Sequence, residues 1–108
     1  MTPARGDLIW INFDPTQGHE QAGRRPALVL SHTRYNARTG LMLACPITSQ
    51  IKGYPLEIVL PDHLKTKGAV LANQIKTLDW QVRGFKRIET APEELLEDVI
   101  DVLETLMR

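Results

Sequence analysis

Apolar positions along the chain fall into short runs through its first three quarters and into a helical period only at its end. Leu8, Ile9, Trp10, Ile11 and Phe13 form one run and Ala27, Leu28, Val29 and Leu30 a second, in the β-branched and aromatic residues that strands favour. Trp10 is expected in the core. Residues 32–40 lack a period of two and are closed by Gly40, which predicts a helical turn with a glycine stop. Residues 41–48 predict a third strand. Pro46 must sit near its end or at an edge, because it has no amide proton for the ladder. Leu56, Ile58 and Leu60 alternate with Glu57 and Val59 as a fourth, ended by Pro61-Asp62, and residues 69–78 alternate as a fifth.

Thr90 and Glu93 have capping-box spacing, Pro92 is placed for a first turn, and acidic residues crowd the positive end of the helix dipole. From there Leu95, Leu96, Val99, Ile100, Val102, Leu103, Leu106 and Met107 recur every three or four residues, so the helix has one apolar and one acidic face. The expected fold is mainly β with α: a small antiparallel barrel or strongly curved sheet with a C-terminal helix packed on it. At 108 residues the prior is a single domain, residues 1–108.

The first two runs are joined by residues 14–24, long for a hairpin connection, which usually has two to five residues. The loop is punctuated for order by Asp14-Pro15, Gly18 and Gly23, the glycines standing where a positive φ is needed. Arg24 and Arg25 follow at its exit.

Zero formal net charge conceals an asymmetry: residues 1–89 carry 12 basic and 7 acidic side chains, net +5, and residues 90–108 carry 1 and 6, net −5. A basic body suggests a polyanionic partner, and a solvated acidic helix on an ordinary domain is the plain alternative. Cys45 is the only cysteine, and it sits in an apolar run, which suits a reducing compartment. With no apolar leader at the start and no run near the ~18 residues of a membrane span, a cytoplasmic location is expected.

His19, His32 and His63 show no ligand spacing with one another or with Cys45, so no metal site is expected. Nor is there a G-x-S-x-G or P-loop pattern. What remains suits phosphate and bases. Arg24, Arg25, Lys52, Lys76, Arg83, Lys86 and Arg87 can meet a backbone; Trp10, Tyr54, Trp80 and Phe85 can stack; Glu20, Gln21, Asn73 and Gln74 can read base edges. Tyr54, in a polar loop, is the better stacking candidate than Trp10.

The string GDLIW-x-x-FDPT-x-G-x-EQAG-x-RPALVLS, followed by Pro46-Ile47-Thr48, Lys52-Gly53-Tyr54-Pro55 and Leu71-Ala72-Asn73-Gln74, resembles the MazF/PemK family of toxin endoribonucleases. The likeness spans nearly the whole chain and is densest over residues 6–55. It implies an SH3-like (CcdB/PemK-type) small β-barrel, a homodimer, metal-independent cleavage of single-stranded RNA at short sequences without a cofactor, and a cognate MazE-like antitoxin. The family's catalytic arginine falls on Arg25 and its catalytic threonine on Thr48. Glu20, Gln21, Lys52, Tyr54, Asn73, Gln74 and Lys76 are the expected RNA-binding residues. An ACA-containing target is the site the loops suggest.

The chemistry of the residues agrees with that assignment. RNA supplies its own nucleophile, the 2′-OH, so the protein needs chiefly to stabilise a pentacoordinate phosphorane, for which Arg25 offers planar paired donors and Thr48 a hydroxyl. Taken alone, Arg25 could equally be a structural arginine paired with Glu20 or Asp14, and Thr48 an ordinary strand-end threonine. Two other functions stay open. A gyrase-poisoning toxin of the CcdB type shares the fold, but its signature is a tryptophan-containing C-terminal helix end, where this chain reads Leu106-Met107-Arg108. A catalytically silent SH3-like RNA-binding module would keep the basic groove without needing both Arg25 and Thr48.

Overall fold

The computed structural model describes residues 1–15 and 18–108. Thr16 of the FDPT segment therefore lies outside the described residues, as does Gln17. The described residues form strands β1 (Asp7–Asn12), β2 (Arg24–Val29), β3 (Leu41–Thr48), β4 (Glu57–Val59), β5 (Ala69–Leu71), β6 (Lys76–Asp79) and β7 (Lys86–Thr90). Helix α1 (Thr33–Thr39) precedes β3, the single turn α2 (Trp80–Arg83) follows β6, and α3 (Glu93–Met107) ends the chain. Strand order is β4-β5-β3-β2-β1-β7 with β6 also on β3, and every pairing is antiparallel. This is the expected small, strongly curved, mainly β fold with a C-terminal helix.

β3 organises the sheet. One edge pairs with β2, whereas the other is divided: Leu41 to Ala44 face β6, and Ile47 and Thr48 face β5. Pro46 falls in the gap between those partners, where a missing donor breaks no ladder on that side.

β1 and β2 are buried on both faces. Ile9, Ile11, Ala27 and Val29 join Phe13, Met42, Ala44, Leu78 and Trp80 in one core, while Leu8 and Leu28 join Cys45, Ile47, Val70, Leu95, Leu96 and Val99 in the other. Each large aliphatic side chain so buried contributes about 1.5–3 kcal/mol, so the second core is what holds α3 to the sheet.

Three expectations are corrected, and two elements were not anticipated. Trp10 is 37% exposed rather than in the core, on the solvent-facing end of β1's Leu8 face, with the Arg24 guanidinium 5.9 Å from its ring centroid. Residues 69–78 are not one strand: a 3₁₀ turn, Ala72–Gln74, separates β5 from β6 and carries the chain between the two partners of β3's divided edge. Thr90 does not cap α3. It is the last residue of β7, opposite Asp7, and its hydroxyl accepts from Arg87, while Pro92 takes the cap position and its carbonyl receives the Leu95 and Leu96 amides. Lastly, β7 and α2 had no counterpart in the pattern of the sequence.

Candidate functional site

A cavity of about 590 Å³ opens where four segments meet: the β1–β2 loop, the start of β2, the end of β3 with its following loop, and the β5–3₁₀ junction. Arg25, Thr48, Gln21, Lys52, Tyr54, Asn73 and Gln74 line it. Glu20 and Lys76 line a smaller cavity of about 180 Å³ that shares Gln21, Asn73 and Gln74 with the first. The two groups of expected residues thus meet along one surface.

Arg25 is the second residue of β2, opposite Ile11. Its Nε and Nη2 both donate to the Ala22 carbonyl, at 3.0 and 2.8 Å, and Nη1 donates to Ile47 O at 3.4 Å. Neutral carbonyls fix the guanidinium plane without cancelling its charge. Among the described residues no carboxylate pairs with it: Asp14 accepts from the Gly23 amide, and Glu20 bridges to Lys76 Nζ at 3.6 Å. A held, uncompensated guanidinium beside a cavity is an anion site.

Thr48 ends β3 and is 7% exposed, with Oγ1 accepting from Gln50 N at 3.1 Å. A hydroxyl that accepts there still has a proton to donate. The Ile47 carbonyl that holds Arg25 belongs to the residue before it, so strand β3 sets both side chains in one frame.

The β1–β2 loop is tied down from several sides. Phe13 N donates to Gly23 O, Asp14 N to Asn12 Oδ1, Gln21 N to Gln74 Oε1 at 2.9 Å, and Arg83 Nη1 to the carbonyls of Asn12 and Asp14. Gly18 and Gly23 both take a positive φ. The 3₁₀ turn matters here too: in a continuous strand Asn73 and Gln74 would point to opposite faces, whereas the turn lets both line the same cavity.

Several sequence candidates are occupied elsewhere. Arg83 holds the β1–β2 loop, Arg87 bridges to Asp7 Oδ1 at 3.1 Å, and Trp80 is buried, donating from Nε1 to Asn36 O and meeting Phe85 edge to face. Tyr54, in contrast, is 61% exposed at the cavity wall. Sequence reasoning missed Ser49, Gln50 and Glu57 as lining residues, and His19, weighed there and set aside as a loop histidine, lines the cavity as well. It also missed Gly68. Among the described residues no cluster of three His, Cys, Asp or Glu side chains is arranged to hold a metal ion.

The family model described as "PemK-like, MazF-like toxin of type II toxin-antitoxin system" matches residues 4–107. The chain is 53% identical over 94 residues to the endoribonuclease toxin MazF of Escherichia coli K12, covering 86% of this chain and 84% of that protein. The crystal structure of MazF from Deinococcus radiodurans superposes with a TM-score of 0.96 at 50% identity, covering 99% of this chain and 97% of that one. A MazE-MazF crystal structure from Deinococcus radiodurans matches with a TM-score of 0.89 at 50% identity, over 99% and 96% of the two chains.

Proposed function

Because this chain belongs to the PemK-like, MazF-like toxins of type II toxin-antitoxin systems, we propose that residues 1–108 form one toxin domain, an endoribonuclease that cuts single-stranded RNA at short sequences. The observation that carries the reading is the pair Arg25 and Thr48 on one cavity, the guanidinium held by carbonyls and unmatched by a carboxylate among the described residues.

In this reaction the RNA 2′-OH attacks the adjacent phosphorus. A bond forms from O2′ to phosphorus, the bond from phosphorus to O5′ breaks, and the products are a 2′,3′-cyclic phosphate and a 5′-OH. One proton leaves the 2′-OH and one reaches the departing oxygen. The protein's task is to hold charge on the non-bridging oxygens as they gain it. Arg25 supplies paired donors and Thr48 a hydroxyl, preset before the substrate arrives. Arg25 acts as charge and donor rather than as proton acceptor, because a guanidinium carries N–H donors and no acceptor.

The lining residues favour unstacked RNA. Gln21, Asn73 and Gln74 present amides for base edges, exposed Tyr54 a stacking face, and Lys52 a charge for the backbone, whereas an A-form duplex hides its base edges in a deep, narrow groove. Glu20 and Lys76 extend the same surface as an ion pair. An ACA-containing site is the proposed target, in cytoplasmic mRNA. The proposed partners are a second copy of the chain, for which Tyr35, Leu43 and Ile75 offer exposed apolar area, and an acidic MazE-like antitoxin drawn to the net +5 of residues 1–89. The test is to incubate purified protein with a long RNA in EDTA and sequence the ends: cleavage with 5′-OH termini is expected, and 5′-phosphates or intact RNA would refute the reading.

A further inference from the structure

Glu57, the first residue of β4, stands at the cavity wall beside the loop that carries Lys52 and Tyr54. Its Oε1 accepts from three successive backbone amides: Lys52 N at 3.0 Å, Gly53 N at 2.8 Å and Tyr54 N at 3.2 Å. Oε2 takes a second contact from Lys52 N at 3.3 Å. Three consecutive N–H groups converging on one anion form a nest, and Gly53 supplies the positive φ of +77° that such a turn requires. Between residues 52 and 57 the backbone link is Glu57 N to Tyr54 O at 3.0 Å, while the loop's ends are held by Gln50 N on Thr48 Oγ1 and by Ala72 N on the Leu56 carbonyl.

This arrangement is unfavourable for RNA binding by simple electrostatics, since a carboxylate at the edge of a polyanion's path repels it. The hydrogen bonds suggest what offsets that cost. We propose that Glu57 is a positioning residue for RNA recognition, its carboxylate holding residues 52–54 in the shape that presents the Lys52 ammonium and the Tyr54 ring to the strand. The inference rests on the RNA-cleaving reading and specifies how that site gains affinity. Without the carboxylate the three amides turn to water, the loop samples other conformations, and the ordering that Glu57 provides in the free protein must be supplied at binding.

The two effects of the side chain have opposite sign, which makes the proposal testable. Glu57→Leu keeps the size and removes both the charge and the acceptor oxygens, whereas a glutamine would still offer Oε1 to the three amides. If Glu57 acts only by repulsion, the variant binds RNA more tightly. If it positions the loop, KM rises about tenfold while kcat stays within about twofold, because Arg25 and Thr48 are held by other elements. Adding Tyr54→Ala to Glu57→Leu then weakens binding by no more than about twofold beyond Tyr54→Ala alone, as expected of residues acting as one unit. Gly53→Ala, whose methyl meets nothing within 4 Å but strains the same φ, reproduces the KM effect from the backbone side.

The experiment measures cleavage of a single-stranded RNA containing ACA, alongside anisotropy of a fluorescent 2′-O-methyl copy that cannot be cut. Thermal unfolding of each variant is followed in parallel. Wild type that binds the copy but cuts nothing overturns the nuclease reading and leaves this one standing if Glu57→Leu still binds about tenfold more weakly. An unchanged or lower KM and Kd in Glu57→Leu, full additivity with Tyr54→Ala, or a wild type that binds neither RNA overturns the proposal.

Discussion

The Thr48 carbonyl oxygen lies 2.1 Å from where a Cβ on Gly68 would stand, and the carbonyl carbon 2.9 Å from it. Gly68 also has φ of +121°, which side-chain-bearing residues rarely adopt. The residue before β5 is therefore pressed against the backbone of the strand end that carries the Thr48 hydroxyl, and only hydrogen fits between them.

Gly68→Ala forces backbone against backbone, with no flexible side chain to yield. We expect a loss of about 1–3 kcal/mol in urea unfolding, the usual cost of overpacking. Cleavage should also fall, because the Thr48 end of β3 must move. A variant as stable and active as wild type would show that the contact relaxes freely.

Arg25→Ala is expected to lose at least about 10²-fold in cleavage rate, the scale of removing one preset donor to a developing oxyanion. Arg25→Lys should recover little, since a single ammonium cannot bond the Ala22 and Ile47 carbonyls and still offer paired donors to phosphate. Single-turnover assays at saturating RNA make the comparison, and near-normal rates in Arg25→Ala would remove it from the catalytic role.

Burial pushes the Cys45 thiol up to about 12. At pH 8 the native protein should leave a thiol-specific chromogenic disulfide unreacted, and the thiol should titrate at once in denaturant. Because the unfolded thiol ionises near 8.5, its contribution to stability is complete below that pH and is lost as pH rises from there toward 12. Cys45→Ala should flatten this alkaline limb of the stability curve.

Glu89 titrates in the opposite direction. Burial raises its pKa, but hydrogen bonds from the Thr66 hydroxyl and from the Lys65 and Thr66 amides, with the Lys65 charge, outweigh it and hold the carboxyl below its ordinary value. Its stabilising effect is therefore present above the ordinary glutamate range and lost as pH falls through and below it. In acid titrations followed by circular dichroism, Glu89→Gln should be less sensitive than wild type over that range, and parallel curves would contradict the assignment.

A cognate antitoxin segment should compete with RNA along the surface from Arg25 to Lys76, its acidic residues taking the place of phosphates. Inhibition is expected to weaken as salt rises, less steeply than RNA binding if the segment also buries apolar side chains. A competition titration across salt concentrations measures both slopes. Simultaneous, independent binding of RNA and antitoxin would eliminate the shared surface.

Much of the fold was legible because burial and pattern coincide. The bounds of β3 and the glycine stop of α1 follow from an apolar run and one residue type, and both appear as expected. β7 was not legible: three of its five residues, Lys86, Arg87 and Glu89, are charged, and among the described residues it pairs with β1 alone. The break at Ala72–Gln74 was hidden for the opposite reason, since alternation continues through it while tertiary pairing with β3 turns the chain. At the site, side chains already matched to the family's motifs were found where four segments meet. Glu57 and Gly68 were not, because a carboxylate bound to amides and a glycine pressed on a carbonyl have no signature until distant segments are brought together.

That assembly has a consequence for the chain as it is synthesised. Gln21 is tethered by Gln74, and Thr48 lies against Gly68 and Ala69, so the first half of the protein carries Arg25 and Thr48 before the loop beside one and the strand end of the other are braced. A ribosome-bound fragment ending ahead of residue 68 has both of these side chains but lacks the wall of the cavity that Leu71, Asn73 and Gln74 supply. Any activity then waits on the late arrival of β5 and the 3₁₀ turn, which delays the appearance of a working nuclease until most of its own message has been read.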